Sequence, residues 1–253
     1  MDQSQAQVLT SEANVAEERS RSRWMRATEQ LDIKSTKLRT RMMAITQLLP
    51  TSQEKAIAIH DYVKSLPFGC VADYSQLKAT DVLKLGYGDC FTKGLLMVAL
   101  LRAASMPARL RFVSLPVHIL RGIIEPEEST IMHAMAEVYL DNRWLVTDSY
   151  VPDLPFQQAA QARLANEKSS LGYGIHLRGD LYWGGKRDAS AQCHETDPSS
   201  LPTVDWGVAD DTMSFYADPS HSELRRNFAT RLKWRLAAPL VNKRVKALRQ
   251  AAA

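Results

Sequence analysis

Cys90 lies where the sequence changes from a glycine-containing segment to a long apolar one. It follows Gly86-Tyr87-Gly88-Asp89 and opens the run CFTKGLLMVALLRAA, whose leucines recur at helical spacing. This pattern predicts a buried helix that begins at Asp89 or Cys90. A thiol in the first turn of a helix is close to free backbone amides and to the positive end of the helix dipole, which favour the thiolate. The same amides can hold a developing oxyanion, so Cys90 is a candidate nucleophile.

His133 and Asp148 flank two segments, 134–140 and 144–147, that we interpret as the strands of a hairpin. A two-residue turn would pair residues whose numbers sum to 283, so that Asp148 opposes Met135. His133 is then a diagonal neighbour of Asp148 on the same face, about 7–8 Å away at the backbone. An odd-length loop without a bulge would place the two side chains on opposite faces. On one face, Asp148 would orient the imidazole and His133 would take the thiol proton of Cys90.

Three sequence blocks around these residues resemble the cysteine, histidine and aspartate blocks of the transglutaminase-like superfamily, in its small bacterial type. They are GYGDC at 86–90 with the helix and strand start that follow it to 109, HAMAEVYL at 133–140 and WLVTD at 144–148. The resemblance covers about residues 50–150 and implies a papain-like core with Cys90 as nucleophile, His133 as general base and acid, and Asp148 as the orienting residue. The position after His133 is often aromatic in this family and is Ala134 here.

The chemistry implied by such a triad is attack on a carbonyl to give an acyl-thioester on Cys90. With water as acceptor the enzyme is an amidase or peptidase, and with an amine it is an acyltransferase. Two alternatives stay open: an amide synthase that condenses a carrier-bound acyl thioester with an amine, and a catalytically silent binding module of the same fold. The substrate is accordingly a peptide, an amine or an acyl thioester. We predict no cofactor and no metal ion, because the dipeptide Cys193-His194 does not make a metal site.

Further substrate contacts are predicted from aromatic residues near glycines. Tyr87 precedes the nucleophile, and glycines alternate with aromatic residues in 172–176 and 182–185. These last two segments could line the substrate with His176 and Trp183, or could form a structural loop held by its aromatic side chains.

The elements that position these residues run from helical segments to mixed strands and helices, so we predict an α+β class with a papain-like core. In this fold the nucleophile helix packs on an antiparallel sheet, with helical extensions at both ends. We divide the chain into a helical N-terminal extension (1–49), a catalytic domain (50–222) and a basic C-terminal helical segment (223–253). A capping box at Thr51–Glu54 marks a new helix, Thr80 or Asp81 can cap a short helix that ends at Gly86, and 171–211 is expected to be rich in loops.

Charge is divided unevenly along the 253 residues: the net charge is +2 for 1–41, −6 for 42–222 and +8 for 223–253. The C-terminal stripe of Leu224, Phe228, Leu232 and Leu236 is expected to pack on the core until Pro239 interrupts the helix. An acidic carrier protein fits the basic segment better than nucleic acid, which we do not expect as a partner. No run of 18 apolar residues predicts a transmembrane segment, no signal sequence is visible, and three cysteines without paired spacing favour a reducing, cytoplasmic location.

Overall fold

A four-stranded antiparallel sheet forms the centre of the fold, with its strands in the order Arg143–Thr147, Thr130–Leu140, Ala108–Pro116 and Val204–Ala209. The computed structural model describes residues 21–125, 127–224 and 228–250. The content is 46% helix and 17% strand, which confirms the predicted α+β class. The part of the predicted N-terminal extension before residue 21 lies outside the described residues.

The helices and strands follow one another in a single series. The helices are α1 (Thr36–Thr46), α2 (Ser52–Ser65), α3 (Ala79–Leu85), α4 (Cys90–Ala103), α5 (Leu154–Asn166), α6 (Thr212–Ala217) and α7 (Phe228–Gln250). The strands are β1 (Ala108–Pro116), β2 (Thr130–Leu140), β3 (Arg143–Thr147), β4 (Leu171–Gly172), β5 (Ile175–His176) and β6 (Val204–Ala209). Short 3₁₀ helices cover Val117–Leu120, Pro198–Ser200 and Pro219–Leu224.

Helix α4 is the central element, because it is buried on all sides between the sheet and the other helices. Every residue from Phe91 to Arg102 is buried, and the helix packs on β1 and β2 as well as on α1, α2 and α3. Residues that precede the capping box join the same core, since Leu31 and Leu38 are fully buried in it. A helix buried in this way gives its first residue, Cys90, a rigid support.

The β2–β3 hairpin has the register that the sequence predicts. Leu140 pairs with Arg143 and Ala136 with Thr147. The two turn residues between the strands, Asp141 and Asn142, both have positive φ values, of 47° and 62°. This is the two-residue turn whose twist matches that of the strands, and Asp and Asn tolerate its left-handed backbone. His133 and Asp148 therefore fall on the same face of the sheet.

Two parts of the fold differ from the sequence-based description. Strand β6 was not predicted, because half-exposed residues and a glycine at 207 obscure its alternation; it adds to the outer edge of the sheet beside β1 across a register shift. Helix α3 begins at Ala79, ahead of the expected cap at Thr80 or Asp81. Asp81 occupies the third helical position instead, and its carboxylate accepts a hydrogen bond from the Lys78 amide.

The C-terminal segment corrects two predictions. Helix α7 continues through Pro239, which it contains in its interior. Leu232 and Leu236 of the predicted stripe do not pack on the core, since they are 46% and 74% exposed, whereas Leu224 does pack against it. The buried face is instead formed by Ala238, Val241 and Val245, one helical turn apart.

Polar contacts on the same side of α7 explain this choice of face. Asn242 accepts a hydrogen bond from the Cys70 amide at 2.7 Å and donates to the Cys70 carbonyl at 3.1 Å. Arg249 forms an ion pair with Asp153 at 2.6 Å. The two apolar stripes of the helix compete for the core, and these contacts select the one that contains Val241. Within the described residues, no helix is long and apolar enough to cross a membrane.

Candidate active site

Cys90 is the first residue of α4 and is half-buried. Asp89 caps the helix: its carboxylate accepts from the Thr92 amide at 3.1 Å and from the Val71 amide at 3.0 Å. The Thr92 hydroxyl accepts in return from the Asp89 amide at 2.8 Å. A side chain on Gly88 would meet that hydroxyl at 2.4 Å. Gly88 is therefore required by the cap itself, which fixes the position of the thiol.

His133 lies on β2 and connects Cys90 to Asp148. Its side chain is 5% exposed, its Nε2 atom is 3.0 Å from Asp148 Oδ2, and it shares a side-chain hydrogen bond with Cys90. Because Nε2 faces the carboxylate, Nδ1 is the ring nitrogen left for the thiol. Burial alone lowers the pKa of His133, but the charges of Cys90 and Asp148 and their hydrogen bonds outweigh it and raise this pKa from 6.5 to about 10. Both neighbours thus favour the protonated form of the imidazole.

Asp148 is fully buried immediately after β3, and a loop that sequence reasoning missed surrounds its carboxylate. Ala191 donates its amide to Oδ1 at 2.7 Å, and the Ser190 hydroxyl donates to Oδ2 at 3.2 Å. The amide nitrogen of Gln192, in the orientation that its neighbours require, donates to both oxygens at 2.7 and 2.9 Å. These donors stabilise the ionised carboxylate. No pattern in the loop-rich sequence around them marks them as partners of the triad.

Two buried lysines hold the backbone that follows Asp148. Lys64 Nζ donates to the carbonyls of Ser149 and Pro152 at 2.6 and 3.1 Å, and to Gln157 Oε1 at 2.8 Å. Lys93, one turn into α4, donates to the carbonyl of Val151 at 2.8 Å. Burial is the main cause that lowers the pKa of Lys64 to about 8. Both ammonium groups tie the segment after Asp148 to the helices behind the triad.

An apolar pocket of about 110 Å³ opens beside Cys90 and His133. Its walls come from the segment 115–124, the start of β2, the residues after Asp148, α5 and α7. Gln192 also lines this pocket. The loop that holds Asp148 therefore contacts the space in which a substrate would lie.

The other predicted substrate contacts do not lie among the residues that line this pocket. Trp183 is 2% exposed, packs at 5.5 Å on the ring of His60 and donates its indole N–H to the Arg187 carbonyl. His176 is 2% exposed, pairs with Asp197 at 3.2 Å and faces a separate surface depression. Tyr87 packs against the backbone at Gly69. Trp183 and His176 thus have the packing expected of a structural loop. Because Tyr87, Trp183 and His176 do not line the pocket, none of them is supported as a substrate contact.

In residues 21–125, 127–224 and 228–250, no group of three or more His, Cys, Asp or Glu side chains is arranged to hold a metal ion. Cys193 lies near Asp148, and burial followed by the charge of that carboxylate raises the pKa of its thiol to about 12.

Gly179 offers a test of the loop around Asp148. A Cβ atom at Gly179 would lie 2.3 Å from the Ala191 carbonyl oxygen, so Gly179→Ala must displace the backbone that donates to Asp148. We expect a lower melting temperature and a fall in kcat of about tenfold or more, since catalytic geometry tolerates little displacement. Gly184→Ala is the matched control, because a Cβ there meets nothing within 4 Å. Equal behaviour of the two variants would contradict the assigned role of the loop.

Part of the chain is similar to a known family and to solved structures. The family model described as the transglutaminase-like superfamily matches residues 39–149. A "putative cysteine protease" from Cytophaga hutchinsonii is similar at 22% identity and a TM-score of 0.40, over 49% of this chain and 39% of that one. A "putative protease" from Parabacteroides distasonis is similar at 18% identity and a TM-score of 0.34, over 46% and 24%. The chain thus spans less than half of either structure, and no curated protein matches it significantly.

Proposed function

We propose, from the match of residues 39–149 to the transglutaminase-like superfamily, that the chain is a cysteine-dependent acyl-transfer enzyme that works through an acyl-thioester on Cys90. The observation that carries the proposal is the hydrogen-bonded series Cys90–His133–Asp148, which opens onto an apolar pocket. A superfamily that contains cysteine proteases and transglutaminases supports an enzyme in general.

The proposed first step is attack of the Cys90 sulfur on a carbonyl carbon, with His133 as the acceptor of the thiol proton. The oxyanion that forms lies at the N-terminal turn of α4, where the Cys90 amide and the positive end of the helix dipole can stabilise it. His133 then gives its proton to the departing group, and the carbonyl stays bound to sulfur as a thioester. Asp148 keeps the ring oriented and stabilises its charge throughout.

The second step decides between hydrolysis and transfer, since water or an amine can attack the thioester. The experiment is an intact-mass measurement after incubation with peptides, with acyl thioesters and with a primary amine. A mass increment on Cys90, followed by release of an acid or an amide, supports the proposal and identifies the acceptor. No increment with any of these substrates, at full folding, would refute acyl transfer and favour the silent module.

An amide synthase that receives its acyl group from an acidic carrier protein is a second candidate, favoured by the surface of α7. Val241, on the inner face of this helix, lines the pocket. Three leucines of the same helix are exposed to solvent: Leu232, Leu236 and Leu240. The surrounding sequence is strongly basic. An apolar row flanked by positive charge is complementary to an acidic helical surface. We also propose a reducing, cytoplasmic location, because the three cysteines of the sequence show no spacing that marks a disulfide framework.

The carrier hypothesis predicts a selective effect of Leu236→Asp. We expect this variant to raise KM for a carrier-bound acyl thioester by about tenfold, because the charge opposes an acidic partner and removes apolar contact area. The rate with a small free thioester should stay the same, since Leu236 is 74% exposed and lies on the outer face of the helix. Equal KM values for the carrier-bound donor in variant and wild type would argue against the carrier.

A further inference from the structure

The pocket beside Cys90 differs from the rest of the site in being almost entirely apolar. Its walls include Ile119, Leu120, Ile123 and Ile124 on one side, and Phe68 and Phe156, stacked at 5.4 Å, on another. Besides the thiols of Cys70 and Cys90, the described residues that line it include two ionisable groups, Asp89 and His133. Asp89, Cys90 and His133 belong to the catalytic arrangement already described. A charged group that entered the pocket beyond them would lose its hydration against aliphatic and aromatic walls.

The aliphatic wall is held in place by contacts outside the pocket. The amide of Gly174 donates to the Ile119 carbonyl at 2.7 Å, and the amide of Tyr173 donates to the Arg121 carbonyl at 2.8 Å. Arg244 of α7 donates to the Ile123 carbonyl. Ile119 and Ile123 are 2% and 3% exposed. The wall is therefore formed before a ligand binds, which is typical of small-molecule sites.

We propose that this pocket binds the acyl group of the substrate, and that this group is uncharged, apolar and about four to six carbon atoms long. The size follows from the volume of about 110 Å³, since an apolar cavity of about 150 Å³ accommodates benzene. The inference rests on the proposed acyl transfer through Cys90 and specifies the class of its donor. Because Cys90 and His133 line the same space, an acyl chain in the pocket has its carbonyl carbon next to the sulfur.

Acylation by p-nitrophenyl esters provides the test, because the reaction releases a coloured product in the same step. The Cys90 sulfur forms a bond to the acyl carbon, the ester C–O bond breaks, and p-nitrophenolate leaves with the electron pair of that bond. We would measure the rate of the p-nitrophenolate burst for acetyl, butyryl, hexanoyl, decanoyl and succinyl esters. Each rate is divided by the rate of the same ester with free cysteine, and intact mass confirms the adduct on Cys90.

The proposal predicts that butyryl and hexanoyl esters acylate Cys90 about tenfold or more faster than acetyl and succinyl esters. Each methylene that enters an apolar site contributes a factor of about four. A decanoyl ester should bring no further gain. Equal rates for acetyl and hexanoyl, or a faster rate for succinyl or decanoyl, would overturn the pocket assignment while leaving acyl transfer intact. No adduct with any ester would refute acyl transfer and the pocket assignment together.

A pair of variants separates the pocket from general effects on the fold. Ile124→Asp places a carboxylate in the wall at a half-buried position, and we expect it to reduce the ratio of hexanoyl to acetyl rates by about tenfold. Leu48→Asp is the control, because Leu48 is 89% exposed on another part of the surface and its variant should keep the wild-type ratio. The same ratio in Ile124→Asp as in the wild type would contradict the proposal, and the wild-type ester series does not depend on either variant.

Discussion

His133→Ala is expected to lower kcat/KM for acyl transfer on the order of 10⁴-fold to 10⁶-fold, the range seen when the orienting acid or the histidine of a catalytic triad is replaced. In the proposed mechanism, His133 takes the proton of the Cys90 thiol and gives it to the leaving group. Alanine removes both steps and also the positive charge that faces the sulfur. The measurement is steady-state turnover of an ester or peptide substrate, together with a melting curve that verifies folding.

The control for this variant is His194→Ala, since His194 lies near the surface and bonds to Thr196, outside the pocket. Its activity should match that of the wild type. A His133→Ala variant that is folded and retains activity within tenfold of the wild type would contradict the role of the imidazole. The pH profile gives a second readout: because the pKa of His133 is about 10, activity should decline only as the pH approaches that value. Asp148→Asn removes one of the charges that raise this pKa and should move the decline to lower pH.

Lys64→Met is expected to destabilise the protein by about 2–4 kcal/mol near neutral pH. The loss of the ammonium group leaves the carbonyls of Ser149 and Pro152 and the side-chain oxygen of Gln157 without this donor, at a cost of about 1–3 kcal/mol each. Removing a buried charge recovers about 3 kcal/mol, which corresponds to the lowering of its pKa from 10.5 to about 8. The hydrogen bonds therefore outweigh the recovered desolvation energy.

The same lysine predicts how this difference changes with pH. Because the pKa of Lys64 is lower in the folded chain, the unfolded chain binds more protons between about pH 8 and pH 10.5, and wild-type stability gains from Lys64 as pH rises through this window. The Met variant lacks this gain, so the difference in unfolding free energy should widen from pH 8 to pH 10. Urea titrations at both values measure it, with the exposed Lys37→Met as control. A Lys64→Met variant as stable as the wild type would contradict the role of Lys64 in holding the backbone after Asp148.

The sequence was sufficient to predict those parts of the site that depend on local patterns. The apolar run after Cys90 predicted helix α4, and the parity of the β2–β3 hairpin placed His133 and Asp148 on one face. These predictions succeed because helical and strand periodicities determine which side chains point the same way. The structure agrees with them in detail, down to the left-handed turn at Asp141 and Asn142.

The parts that escaped prediction depend on contacts between distant segments. Ser190 and Gln192 reach Asp148 from more than 40 residues away, and nothing in their neighbourhood distinguishes them from other polar loop residues. The prediction of the buried face of α7 was wrong because the helix has two apolar stripes. The contacts of Asn242 and Arg249 favour burial of the stripe that contains Val241. Such choices are made by tertiary packing, which overrides local pattern. The division of the chain into domains stays a prediction.

The most direct test of the central claim is the rate at which iodoacetamide alkylates Cys90 as a function of pH. If His133 takes the proton of the thiol, Cys90 is labelled much faster than a free thiol at pH 6–7, where a free thiol reacts slowly because its pKa is about 8.5. Cys193, whose pKa is raised to about 12, provides an internal reference that should stay unlabelled in the same sample. Labelling of Cys90 at the rate of a model thiol, with the same pH dependence, would contradict an activated nucleophile and identify the fold as a silent module.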